Sequence, residues 1–405
     1  MKNLFILSSL LFSINLCFAQ PLWISFTTAN SGLPSNNVND MTIDASGNIW
    51  FATNNGIAKF DKQNWTVYNS SNSPIPHNVC NTIAAEGDTI WIGSVFGLCR
   101  LIGTNWQVYP NIRYVMSMAF EPNGTKWFGL LSDSGFQGGL YRYDDISWMY
   151  YDTTNSILKG NWVTGLSLDS FNHLWLTTSY PAGIINFDGM NWTLFDTTDF
   201  GFQTDIISEI SVAPNNDKWI STNKGVLKFD GTNWTIYDTT NSGLPDNWVR
   251  AKIIYEDQYK IIGSHGISFY NDTSWINFNN QNSGLIGNSV RDIEIDVLNN
   301  KWIAAYGSGI SVYNENGVII SIPEISFKNS PSVYPNPTVN NLFIDLKENQ
   351  SNIRVTIIDN MGKKVLIKNL KLPENKINVD DLPPGIYICN LLINQISYNF
   401  KFVKL

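Results

Sequence analysis

The segment FDGTNWTIYDTTNSGLPDNWV, Phe229–Val249, opens with an Asp-Gly turn, runs through a short aromatic strand and ends in an Asn-Ser-Gly-Leu-Pro connector. Near copies stand at FDKQNWTVYNSSNSPIPHNV from Phe60, FDGMNWTLFDTTDFGF from Phe187 and TSWINFNNQNSGLIGNSV from Thr273. One tryptophan marks each copy: Trp23, Trp65, Trp106, Trp148, Trp192, Trp234 and Trp275, spaced 42, 41, 42, 44, 42 and 41 residues apart. A second series lies in NIWFAT, TIWIGS, TKWFGL, HLWLTT, DKWIST and NKWIAA, at Trp50, Trp91, Trp127, Trp175, Trp219 and Trp302, and YKIIGS adds Ile261 in that place. Both series have seven members. A repeat of this length, read before any strand is assigned, fixes the architecture.

Each unit parses into four short strands, a to d, broken by Gly, Asn and Asp turns; in the first they fall at Val38–Asp44, Asn48–Ala52, Gly56–Phe60 and Trp65–Tyr68. A single such sheet has two apolar faces that it cannot bury alone, whereas seven arranged radially bury one another. The expected fold is therefore all-β, a seven-bladed β-propeller over residues 20–325. The thirteen tryptophans of the two series are its packing anchors, each ring contributing roughly 1.5 to 3 kcal/mol or more on burial. The outer strand at Trp23 precedes any inner strand, and the last unit lacks a Trp-bearing outer strand, so the N-terminal strand is expected to complete blade seven. Val318 to Ile322 is the rival for that place.

Composition agrees: of 405 residues 43% are hydrophobic and 13% aromatic, with 15 Trp but only 3 His. MKNLFILSSLLFSINLCFAQ, with an early Lys, an apolar run and a small residue before a cut after Ala19, reads as a signal peptide over residues 1–19. No later stretch is long enough for a membrane helix. Residues 21–327 carry 15 Lys and Arg against 28 Asp and Glu, while residues 328–405 carry 10 against 6, so a linker at 326–333 is expected to separate two modules of opposite charge.

The second module, residues 334–405, contains VYPNPTVNNLFIDL, VTIIDNMGKKVL, INVDDLPPGIYICNLL and a terminal FKFVKL. Its alternating apolar positions between Pro-Asn-Pro and Pro-Pro-Gly breaks describe a small antiparallel β-sandwich. These motifs closely resemble the C-terminal sorting domain of type IX secretion cargo. That resemblance implies a Bacteroidetes origin, passage to the periplasm by the signal peptide and export across the outer membrane by the secretion machinery, its partner. In that family the tail is often removed and the product released or attached to the cell surface. The units IWFATNNGIAKFD and IWIGSVFGLCRLI resemble two-component-regulator propeller repeats. Those usually sit ahead of a membrane span and a histidine kinase; neither is expected here, which leaves a surface for a ligand or protein partner on a monomeric exported scaffold.

Two tryptophans lie outside the anchors, Trp162 and Trp248, thirteen residues before the second-strand position. That register reads Asn37, Asn78, Tyr114, Trp162, Ile206, Trp248 and Ser289, followed by an unbroken apolar series Val38, Val79, Val115, Val163, Ile207, Val249 and Val290. A variable position beside an apolar one, at the entrance to the inner strand, is expected to face the mouth of the central channel, where the rings either cover the core or contact a ligand. The third unit is longer between strands b and c, in LSDSGFQGGL, which with TSYPAG would bring Phe136, Tyr114, Trp162 and Tyr180 together on one face. Asn161, Asn247 and Asn288 precede the variable register and offer polar groups beside the rings. Arg113, Arg250 and Arg291 are also expected near the mouth, either as solvated rim charges or to meet a carboxylate.

Metalloprotease, Walker, nucleophile-elbow and EF-hand patterns are missing from the sequence. His77, His173 and His265 fall in turns of different units, and Asp61, Asp188 and Asp230 repeat at the c–d hairpin, where Asp favours the turn. Neither a catalytic set nor a metal or cofactor is expected. Cys80 and Cys99 belong to strands a and c of one blade, too far apart to bridge, and Cys389 to the tail. The acidic propeller lacks the basic stripe that nucleic acid requires. The function expected is glycan or protein binding at the mouth. A carbohydrate-active lyase or hydrolase using the same mouth is the alternative, and it would need two carboxylates, or a Tyr or His beside an Arg, within about 5–10 Å.

Overall fold

A computed structural model of the chain describes residues 21–133, 136–256, 259–320, 332–345, 353–359, 364–370, 375–393 and 396–405. The proposed signal peptide and most of the proposed linker lie outside them. The chain divides into two compact units, residues 1–320 and 321–405.

In the first unit β1 (Trp23–Phe26) stands alone in sequence. Blade 1 follows as β2 (Val38–Ile43), β3 (Ile49–Thr53), β4 (Gly56–Phe60) and β5 (Trp65–Tyr68). Blade 2 is β6 (Cys80–Glu86), β7 (Thr89–Ser94), β8 (Gly97–Ile102) and β9 (Asn105–Tyr109). Blade 3 is β10 (Val115–Phe120), β11 (Lys126–Leu130), β12 (Gly139–Tyr143) and β13 (Trp148–Tyr151). Blade 4 is β14 (Trp162–Leu168), β15 (Leu174–Ser179), β16 (Gly183–Phe187) and β17 (Trp192–Phe195). Blade 5 is β18 (Ile207–Val212), β19 (Lys218–Thr222), β20 (Gly225–Phe229) and β21 (Trp234–Tyr237). Blade 6 is β22 (Ile254–Glu256), β23 (Tyr259–Ser264), β24 (Gly266–Tyr270) and β25 (Trp275–Phe278). Blade 7 is β26 (Val290–Ile295), β27 (Lys301–Ala305) and β28 (Gly309–Tyr313), and its fourth strand is β1. Trp23 pairs with Tyr313 and Phe26 with Ile310, while β26 packs against β2, so the N-terminus closes the ring. Val318 does not replace it; its amide instead donates to the carbonyl of Pro21 at 2.8 Å.

The two tryptophan series differ in burial. The second-strand rings Trp50, Trp91, Trp127, Trp175, Trp219 and Trp302 are at most 5% exposed. Their Nε1 atoms donate to a carboxylate at the a–b turn: Asp44 for Trp50 (2.9 Å), Glu86 for Trp91 (3.1 Å), Asp169 for Trp175 (3.1 Å) and Asp296 for Trp302 (3.0 Å). Blade 5 has Ala213 at the corresponding place, and the Trp219 Nε1 is buried without a partner. The outer-strand rings are half-buried, and all but Trp106 lie against an aromatic of strand c, as Trp192 on Phe187 at 4.3 Å, Trp234 on Phe229 at 4.4 Å and Trp275 on Tyr270 at 4.3 Å. The repeated connector packs on the same rings. A Cβ on Gly32, Gly243 or Gly284 would come within 2.2–2.5 Å of Trp65, Trp275 or Trp23, so only glycine fits there. The next apolar residue, Leu33, Leu244 or Leu285, is buried.

The second unit holds two sheets. One has the order β29 (Ser332–Tyr334), β30 (Asn341–Asp345), β33 (Lys376–Asn378). The other runs β32 (Lys364–Leu370), β31 (Ile353–Ile358), β34 (Gly385–Ile393), β35 (Ile396–Lys404). Leu342, Ile344, Val355, Ile377, Leu391 and Phe402 share one core, giving a small sandwich. Ser332 and Val333, placed in the linker by composition, already belong to β29. Cys80, Cys99 and Cys389 are free and buried.

Candidate functional site: the propeller channel and its mouth

The seven inner strands enclose a channel of about 1040 Å³. Six of them carry a β-bulge near their start, and the residue after the bulge defines one layer of the wall: Asp40, Thr82, Ser117, Gly165, Glu209 and Asp292. A bulge re-aims a side chain by inserting one extra residue opposite one partner. Blade 6 contributes Lys252, which precedes β22. Charged residues in this layer hold neighbouring blades together. Asp40 Oδ2 accepts from the Ile83 amide at 2.9 Å and the Thr82 hydroxyl at 2.6 Å, and Asp292 Oδ2 accepts from the Met41 amide at 2.9 Å. Lys252 Nζ lies 3.6 Å from Asp292 Oδ1 and donates to Glu294.

Four carboxyl groups around one ammonium in a confined channel cannot all stay ionised easily. Burial raises Asp40 and Glu294 above the usual carboxylate range and pushes Asp292 up to about 7. Burial raises Glu209 further, to about 8, with its own Ile210 amide at 3.1 Å opposing the shift. Gly165 makes room for it: a Cβ there would lie 2.7 Å from Glu209 Oε1. Burial also works against the Lys252 charge, but attraction to Asp292, Glu294 and Asp40 outweighs it and holds the ammonium well above its ordinary pKa. Burial thus favours the protonated form of Glu209, which lines the channel.

Five of the eight residues expected at the mouth line this channel: Trp162, Tyr180, Trp248, Arg250 and Arg291. Trp162 and Tyr180 meet edge to face at 5.0 Å, and Tyr180 is 54% exposed. Trp248 is 46% exposed, and the Arg250 guanidinium lies 4.3 Å from its ring centre. Arg291 is the bulge residue of β26 and lies 4.6 Å from the ring of Tyr306.

The other three stand apart. Tyr114 and Phe136 pair at 6.4 Å, and the Tyr114 hydroxyl donates to Asp133 at 2.8 Å, a bond that raises its pKa. In the longer b–c connection of blade 3, Gln137 Nε2 donates to Asp152 at 2.8 Å and the Gly138 carbonyl accepts from the Tyr150 hydroxyl at 2.6 Å. Arg113 is exposed, donates to the Pro110 carbonyl at 3.3 Å and lies over Phe96.

Other expectations also change. Asn161, Asn247 and Asn288 do not offer their oxygens to the mouth; these accept the amides of Thr153 (3.0 Å), Thr239 (2.8 Å) and Asn280 (2.8 Å) and shape the connectors. In blade 2 Cys80, not Val79, holds the core place: Cys80 pairs with Ser94 as Val38 pairs with Thr53, because the blade 2 a–b turn is one residue shorter. The histidines serve local structure, His77 Nδ1 accepting the Val79 amide at 3.0 Å and His265 bonding Asn288 at 3.0 Å. Among the described residues no group of three His, Cys, Asp or Glu is set to hold a metal ion. Sequence reading missed Tyr306 and the charged layer of Asp40, Glu209, Lys252, Asp292 and Glu294. A charge recurring two or three residues after the core valine of an inner strand was the available signal.

Comparison with known proteins places these features. Residues 332–405 match the family model described as secretion system C-terminal sorting domain, and residues 32–55 that of the two component regulator propeller. No curated protein sequence gives a match. Among solved structures the chain is similar to a streptogramin B lyase, at 15% identity and a TM-score of 0.58, covering 72% of this chain and 97% of that one. It is similar to catalytically inactive virginiamycin B lyase from Staphylococcus aureus with quinupristin, at 16% identity, TM-score 0.57, with 72% and 98% covered. It is also similar to YCF48 bound to D1 peptide, at 13% identity, TM-score 0.54, with 74% and 98% covered. At these identities the likeness is one of fold: the first unit is a β-propeller with a regulator-type repeat at residues 32–55, and the second matches a secretion sorting domain, which implies export.

Proposed function

We propose that the chain is an exported binding module that retains glycans at the mouth of its propeller, acting as a released or surface-attached protein. One observation carries the reading: Trp162, Tyr180 and Trp248 present exposed or half-exposed rings at the rim of a channel large enough for a sugar chain end. Flat rings accept the C–H faces of pyranoses, and binding sites of this kind pair a few polar groups with an apolar wall. The sorting tail supports delivery to the space where such ligands occur. Incubating the protein on a polysaccharide array, with analysis of the overlying solution for cleaved product, tests it. Retention without product is expected, and loss of retention in Trp248→Ala; if no polysaccharide is retained, the reading fails.

A carbohydrate-active enzyme in the same channel is the second reading. It is favoured by Asp40 and Asp292, whose carboxylates both approach the Met41 amide within 2.9 Å, and by the protonated Glu209. Released oligosaccharide in the same assay, abolished by Glu209→Gln, would establish it.

A further inference from the structure

Arg250 and Arg291 differ from the paired lysines of the propeller. Lys126, Lys159, Lys218, Lys228, Lys260 and Lys301 each meet a carboxylate. Among the described residues, the guanidinium of neither Arg250 nor Arg291 has a hydrogen-bond or ion-pair partner; each only lies on a ring, Trp248 at 4.3 Å and Tyr306 at 4.6 Å. The Arg291 Nε is buried and unpaired. Asn39 and Thr164, which hold the same bulge position in blades 1 and 4, use their side chains to bond the next blade, Asn39 to the Cys80 carbonyl at 2.8 Å and Thr164 to the Ile207 carbonyl at 2.7 Å. Arg291 makes no such bond and turns to Tyr306 instead. Both residues line the same channel, and burial first, and then the charge of Arg250, lower the Arg291 pKa. Leaving such a donor unpaired is costly unless something else satisfies it.

We propose that Arg250 and Arg291 form an anion site at the mouth, so that the glycan retained there is acidic, carrying a carboxylate or a sulfate that bridges the two guanidiniums. The inference rests on the glycan reading above and narrows it. Stacking on Trp248 and Tyr306 fixes the planes of both forks, which suits two-pronged recognition of a flat or tetrahedral oxyanion and lowers the ordering cost of binding. The propeller as a whole is acidic, yet screening confines that field to about 8 Å at physiological salt. The nearest fixed charges therefore decide, and protonation of Glu209 weakens the negative layer beneath the site. The acid group stays at the rim while the sugar ring meets Trp248 and Trp162.

Titration calorimetry of the full chain with three probes tests this: polygalacturonate for carboxylate, κ-carrageenan for sulfate and galactan as the neutral comparison. At least one acidic probe should bind more than tenfold tighter than galactan and weaken as salt is raised; which one binds identifies the anion. Arg250→Gln and Arg291→Gln should each weaken that probe at least tenfold without shifting the melting temperature. Arg291→Lys, which keeps the charge but not the fork, should also lose most of the affinity, and Lys62→Gln, in a c–d turn, should leave it unchanged. Binding of galactan alone would overturn the anion site and leave the glycan reading standing. Acidic probes held equally by both arginine variants would place the anion elsewhere and also overturn it. Retention of none of the three would remove both.

Discussion

A tryptophan in this chain means different things at different registers. Trp175 is 5% exposed, donates to Asp169 and has Lys218 over its ring at 4.6 Å, whereas Trp248 is 46% exposed and supports only Arg250. Truncating a buried ring leaves a cavity and removes one donor from Asp169, so Trp175→Ala should lower stability by about 3–5 kcal/mol. Trp248→Ala removes much less buried area and should cost under about 2 kcal/mol. Chemical denaturation of the two variants checks the contrast; equal losses would make Trp248 a core ring and remove it from the mouth. The sequence distinguishes these registers because one ring recurs in every unit and the other does not. It could not separate Tyr114 and Phe136 from Trp162, since the bonds of Gln137 to Asp152 and of Tyr150 to the Gly138 carbonyl have partners that no spacing reveals.

At the scale of the element, the least replaceable strand is β1. It supplies the fourth strand of blade 7, with Phe26 stacked on Trp302 at 5.8 Å and Trp23 on Tyr313 at 4.5 Å. Removing residues 21–30 would expose the edge of β28 and the faces of blades 1 and 7, and an open edge of this kind invites aggregation. The deletion should cost several kcal/mol and appear as a lower melting temperature with light scattering. An unchanged melt would mean that the segment after Val318 can take over the position. The a–b turns show the limit of reading by spacing. Blade 2 is one residue shorter there than blade 1, which slides Cys80 into the core place given to Val79. Inner-strand bulges and turn lengths trade against each other, and only pairing reveals where the extra residue went.

For the whole molecule the charged layer of the channel sets the response to pH. Glu209 has a folded pKa of about 8, above the roughly 4.3 of an unfolded glutamate. Between those values the folded chain holds a proton that the unfolded chain has released, so stability falls as pH rises through the window. Asp292, raised to about 7, acts in the same direction. The turn carboxylates Asp61, Asp144, Asp188 and Asp230 are lowered by backbone amides, so their contribution is present above the unfolded value near 3.9 and lost in more acid solution. The melting temperature should therefore decline from about pH 5 to about pH 8, and Glu209→Gln should flatten that decline. A variant with the wild-type slope would shift the cause to Asp292 or Asp40. The two-unit division gives a further expectation: a chain ending before Ser332 should keep the propeller's melting transition but remain in the periplasm of a type IX host. Normal amounts in the medium would deny the tail its sorting role.

The sequence by itself determined the seven blades, their strand order, the closing strand and the sorting tail. Each of these follows from a pattern repeated along the chain or confined to one stretch of it: a ring, a turn and a glycine every 42 or so residues, and an ordered set of motifs after Pro331. Only the tertiary structure decided what fills the channel. Asp40, Glu209, Lys252 and Asp292 come from four blades and up to 252 positions apart in number, and their recurrence just after the core position of an inner strand does not say which charges they meet. Closing the ring brings them into one low-dielectric layer, where burial and mutual repulsion shift their protons. It also sets Arg250 and Arg291 on the wall of the same channel, each against an aromatic ring.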